Sequence, residues 1–363
     1  MRPHRVYVVG VAVLAAALCG GCSAHSSKPG TSSAASSAPS QVAVSAVTTT
    51  RGNRAVVFAL AAQRWTTVPL PHSPADPDAV AGHGSDIYAA DLGASGVVLD
   101  YSHDGGHSWH SRPVTSTPDL AGVDLALSAD GRQLAIGLDR PASAGAVGQA
   151  DVLVGPAAGG AFARHAAPTA GQLAWWHGRM VLSGGALSSR LYLADATGST
   201  WHAVPVDGHV APQFDVDPSV PSIGVALTRP DGSLVVPVTS HAGAPSVDLL
   251  TTTDGSTFRS LGRVALTGDV GAGAGAAVGI RSDGSVVVSD PNTLRLHVLG
   301  AGGTHTVVPK GLPAPPSSLT FLSVMMGLAQ VDVAGCADAK SQCTVKHEVF
   351  ATSDGGASWA PAP

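Results

Sequence analysis

A chain of 363 residues with 44% hydrophobic content has ample apolar material for a large buried core, which excludes a globally disordered protein. Only 12% of residues are charged, the formal net charge is −5 and no run of Lys or Arg occurs. That balance excludes nucleic acid and a charge-driven membrane patch, while 44 Gly and 26 Pro make the chain dense in turns.

Residues 1–22 read as an export signal: Arg2 and Arg5 precede an apolar run over 6–18, and Cys19-Gly20-Gly21-Cys22 follows. An apolar helix of that length reaches about 20 Å, short of the roughly 30 Å hydrocarbon core. Its ending resembles a bacterial lipoprotein signal, although Cys19 stands where Leu is usual in that pattern. The resemblance implies that Cys22 is lipidated, becomes the new N-terminus and anchors an exported chain to the outer face of the cell membrane. Residues 23–42, rich in Ser, Ala, Pro and Gly, are expected to form a flexible tether.

Residues 43–363 are expected to form a single all-β array. The most informative stretches are YSHDGGHSWH at 101–110 and TSDGGASWAP at 352–361. Both fit a hydroxyl residue, then Asp, Gly, a second hydroxyl residue and Trp: Ser102, Asp104, Gly106, Ser108, Trp109, and Thr352, Asp354, Gly356, Ser358, Trp359. In such a turn the carboxylate accepts backbone N–H groups, the Gly supplies positive φ and the Trp opens the next strand. Weaker copies end at Trp201, one residue longer from Asp195, and at Phe258, one residue shorter from Asp254. With Trp65, Phe162 and His305 as equivalents, the marker recurs at intervals of roughly 50 residues. A second series, at Ser128, Arg229 and Arg281, reads as an Asp-Gly turn followed by an apolar strand.

These repeats resemble the Asp-box (BNR-repeat) β-propellers, a group that includes sialidases, sortilin-like receptors, some endoglucanases and photosystem assembly factors. The resemblance implies seven blades of four-stranded antiparallel sheets, six if the first is irregular, with a first blade short of an inner strand. It implies an architecture more than an activity. Both turn series then lie on one face of the ring, which makes Asp104, Asp195, Asp254 and Asp354 structural. Ligands are expected on the opposite face, where the longest connections fall.

Candidate residues for that face are Asp139, His209, Asp215 and Asp217, with Trp175 and Trp176 as a possible aromatic platform or as packing between blades. Cys336 and Cys343 close a short loop, expected as a disulfide in an exported chain. His103, His107 and His110 flank the first turn, where solvated edge histidines are expected and no metal. No catalytic set is singled out. The Arg-Ile-Pro segment of sialidases does not occur, Glu348 is the only glutamate in the sequence, and the aspartates offer no distinguished pair for a glycoside hydrolase. The expectation is a non-catalytic binding or scaffold protein without cofactor, its partner an unidentified protein or glycan. The alternative is a cell-envelope glycoside hydrolase or sugar-binding module using aspartates of the open face.

Overall fold

The computed structural model describes residues 42–46, 54–59, 64–70, 79–117, 119–141, 150–184, 190–206, 221–240, 244–268, 276–335 and 344–362. Every regular element among them is a strand, and the strands form seven antiparallel sheets taken in chain order. The first sheet, within 42–69, has three strands. The six that follow, within 79–115, 122–167, 171–204, 222–265, 278–307 and 316–361, each run through four sequential strand positions. In the fifth sheet the first position is split, Ser222–Ile223 and Leu227–Thr228 both pairing with Leu234–Ser240. The first strands of neighbouring sheets lie side by side, Ala79–His83 against Gly122–Leu127 and Gly122–Leu127 against Gly171–Trp176. Four-stranded antiparallel blades set around common inner strands make the molecule a β-propeller.

Seven apolar clusters hold the ring, one in each seam between consecutive sheets. Because a blade has a neighbour on both sides, alternate residues of one strand bury into different seams. Leu234, Val236 and Val238 pack toward the fourth blade, and Val235 packs toward the sixth. The second strands therefore read as near-continuous apolar runs, such as LVVPV, where a one-faced sheet would alternate with polar residues.

The markers mark the outer strands. Trp109, Phe162, Phe258 and Trp359 each sit one residue before the fourth strand of a blade, Trp201 is its first residue, and His305 lies within it. Trp65 lies within Arg64–Pro69, the last strand of the first sheet. Each indole or phenyl ring fills the seam toward the preceding blade: Trp109 against the first sheet, Trp201 against the third blade, Phe258 against the fourth and Trp359 against the sixth. The ring closes where Val56 of the first sheet meets Leu328 and Val349 of the last, beside Trp65 and Ala362.

Candidate functional site

The two faces of the ring differ in what their side chains do. On the turn face, Asp104 accepts the Ser108 backbone N–H at 2.8 Å and the Ser108 hydroxyl at 2.6 Å, and Ser102 Oγ accepts the Gly106 N–H at 2.8 Å. Trp109 Nε1 donates to the Gly106 carbonyl at 3.1 Å. The last blade repeats the pattern atom for atom, with Ser358 N–H on Asp354 at 2.9 Å, Gly356 N–H on Thr352 Oγ1 at 2.9 Å and Trp359 Nε1 on the Gly356 carbonyl at 2.9 Å. Gly106 and Gly356 hold φ of 88° and 92°, and a Cβ on Gly106 would fall 2.8 Å from Val68 Cβ of the first sheet.

The irregular copies reach the same end with different donors. Asp254 takes the Ser256 and Thr257 N–H groups at 2.7 and 2.8 Å. Asp195 takes the Thr197 and Ser199 N–H groups at 3.0 and 3.1 Å and both of their hydroxyls. Hydrogen bonds from Ser358 pull the Asp354 carboxyl down to about 2, those from Thr197 and Ser199 pull Asp195 down to about 2, and Asp104 and Asp254 lie lower still. Carboxylates so strongly held as anions are poor general acids at neutral pH. The second series uses the same device, Ser233 and Ser285 each giving N–H and hydroxyl to Asp231 and Asp283.

Trp175 and Trp176 occupy the inner strand Gly171–Trp176 and point into opposite seams. Trp176, 2% exposed, donates Nε1 to the Gly232 carbonyl of the fifth blade at 2.8 Å. Trp175 donates to the Ala126 carbonyl of the third blade at 3.1 Å. Both indoles thus sit in blade-to-blade packing. Other long side chains latch neighbouring blades in the same way, Arg229 Nε onto the Gly284 carbonyl at 3.1 Å, Arg281 onto that of Gly355 and Tyr88 onto that of Ala157 at 3.0 Å. Around the first turn, His103 Nδ1 meets Asp86 at 2.9 Å, and Tyr101 lies 5.4 Å in ring centroid from both His103 and His110. Among the described residues no three His, Cys, Asp or Glu side chains are grouped as a metal site would require.

On the opposite face the structure locates Asp139, buried at the last position of Gln133–Asp139. His209, Asp215, Asp217, Cys336, Cys343 and Cys22 lie outside the described residues. Asp139 has a companion that sequence reasoning missed. Asp124, on the inner strand Gly122–Leu127, pairs with Gly137, while Asp139 pairs with Gly122, which sets the two carboxyls diagonally on one face of the third blade. Asp124 is 3% exposed; one of its oxygens accepts the Leu173 N–H of the fourth blade at 2.6 Å and the other the Leu125 N–H at 2.8 Å. Burial, opposed by those two donors and reinforced by Asp139, pushes its carboxyl up to about 7. The available signal was a lone acidic residue inside the apolar run GVDLAL.

No protein-family model matches the chain, and no curated protein matches it in sequence. Among solved structures the chain is similar to a virginiamycin B lyase from Staphylococcus aureus, 9% identical over 79% of this chain and 87% of that one, with a TM-score of 0.52. It is similar to a protein from Lactobacillus plantarum, 14% identical over 89% and 100%, at a TM-score of 0.52. YCF48 from Cyanidioschyzon merolae, 12% identical over 77% and 81%, scores 0.48. At such identities the likeness concerns the propeller fold alone.

Proposed function

We propose that the chain is an exported, lipid-anchored Asp-box β-propeller that binds or scaffolds a partner and performs no chemistry of its own. In this reading residues 1–22 are the signal, Cys22 carries the lipid, 23–42 are the tether and 43–363 the propeller, with Cys336 and Cys343 in a disulfide. The fold does not decide the matter, since one of its neighbours is a lyase. The observation that carries the reading is how the turn aspartates are used. Asp104, Asp195, Asp254 and Asp354 are bound within their own turns and held as anions, which suits a rigid platform.

A glycoside hydrolase or sugar-binding module is the second reading, and Asp124 with Asp139 is the observation that favours it. They occupy diagonal positions, whose backbone spacing is about 7–8 Å, and so set two carboxyls on one face, as an acid and base pair requires. Against turnover stands their burial: at 3% and 8% exposure neither presents its oxygens to a sugar.

The test is to express the full chain and a Cys22→Ala variant in a bacterium that lipidates exported proteins. Membrane retention and incorporation of labelled palmitate are expected for the first and lost in the second; equal retention of both would overturn the anchor. Screening the purified chain on a glycan array, with assay of released reducing ends, separates the rest. Release would overturn the non-catalytic reading, retention without release would make the partner a glycan, and neither directs the search to protein crosslinks on the cell envelope.

A further inference from the structure

The seam between the third and fourth blades has an unusual join on its inner edge. Most other described latches are indole and hydroxyl donors or guanidinium groups reaching a neighbour's carbonyl, and Asp290 of the sixth blade accepts the Thr267 N–H of the connection leaving the fifth at 3.1 Å. Here a carboxyl does the joining, from the inner strand of one blade to a backbone N–H on the inner strand of the next. The second-blade strands Ala79–His83 and Asp86–Gly93, which carry His83, Asp86, Tyr88 and Asp91, pack on the opposite side of Gly122–Leu127, against Val123 and Leu125; the strands on the side of Asp124 bring no cation. The strand Gly171–Trp176 carries no titratable side chain, Gln133–Asp139 brings only the acidic Asp139, and from the fourth blade Tyr192 enters the same seam. A Cβ on Gly137 would lie 3.2 Å from Leu173 Cδ1 and 3.5 Å from Asp124 Cβ, so the seam is also tightly filled around the carboxyl.

An anion sealed between two blades, with two N–H donors and a second carboxyl diagonal to it, is a poor resident unless it takes up a proton. Protonation removes the charge and leaves lone pairs on both oxygens for the Leu125 and Leu173 N–H groups. Ionisation keeps the hydrogen bonds but restores the desolvation penalty, which opening of the seam to water relieves.

We propose that Asp124 is a proton-linked clasp between the third and fourth blades, holding the seam closed in its protonated form and loosening it when ionised. The clasp does not depend on what the open face binds. The sign follows from linkage. The folded chain holds the proton to about pH 7, whereas an unfolded or opened one releases it near pH 4. Stability of the seam therefore falls as pH rises from about 4 to about 7 and is flat above that.

Three measurements on the full chain test the clasp. Amide exchange of Leu173, corrected for its intrinsic rate, is expected to lose protection by up to about tenfold per pH unit between pH 4.5 and 7. Amides of Val286–Ser289, in another blade, should not follow that slope. In Asp124→Asn, whose side chain cannot ionise, the slope at Leu173 disappears whatever the new baseline. Should that variant fail to fold, carboxyl carbon NMR of the unaltered chain decides, since one aspartate is expected to titrate near neutrality. A Leu173 slope no steeper than that of Val286–Ser289, or every aspartate titrating below pH 5, overturns the proposal.

Discussion

At the scale of single residues, the turn aspartates make the sharpest prediction because their partners are few and local. Replacing Asp104 or Asp354 by Ala strips the receiving group from one backbone N–H and two hydroxyls and frees the turn. Each change is expected to lower stability by about 1 kcal/mol, the scale of a lost cap or exposed hydrogen bond, measured by urea denaturation. Their pH dependence has a definite sign. Asp354 is pulled from the usual carboxylate range near 4 down to about 2 by Ser358, so its contribution is full above pH 4 and disappears as pH falls toward 2. The stability gap between the natural chain and Asp354→Asn should therefore close over that interval; a gap equal at pH 2 and pH 7 would show that charge plays no part. Asp124 works the other way and in a different window, above pH 4, so the two effects separate on one titration.

At the scale of elements, the latches between blades bring together residues far apart in sequence. Trp176→Phe keeps an aromatic ring, though a smaller one, in the seam between the fourth and fifth blades and leaves the Gly232 carbonyl without its 2.8 Å donor. The expected loss is about 1–2 kcal/mol, read as a lower urea midpoint with an unchanged slope; an unchanged midpoint would reduce the indole to a filler. These latches were hard to read in the sequence, and the reason is geometric. The turn repeats are local: hydroxyl, Asp, Gly and aromatic residues act within eight positions, so YSHDGGHSWH announces its own hydrogen bonds. The direction of a side chain on a strand buried on both faces is not local. Adjacent residues of Gly171–Trp176 point oppositely, but which carbonyl Trp175 and Trp176 each meet, Ala126 or Gly232, depends on the neighbouring blade. Asp124 was overlooked for a related reason: an acid in an apolar strand looks like a surface residue until the next blade covers it.

At the scale of the whole molecule, the repeat spacing announced a ring of blades, and even the short first blade shows as a three-stranded sheet. What spacing cannot convey is closure, because it links the two ends of the described chain. Among the described residues no sheet mixes strands from both ends: the first is built from 42–69 and the last from 316–361. Among the described residues closure rests on side-chain packing, Val56 of the first sheet meeting Leu328 and Val349 of the last. Val286–Ser289, whose apolar side chains are buried in two seams away from that joint, serves as the reference strand. Leu328→Ala, which creates a cavity at the closing seam, should cost about 2–5 kcal/mol, and native-state hydrogen exchange should find Arg54–Ala59, whose Val56 packs on Leu328, brought forward more than Val286–Ser289. An equal change in the two strands would mean that Leu328 serves the whole ring and not the closing joint in particular. A larger change at Arg54–Ala59 would identify the joint between the first and last sheets as one that opens by itself.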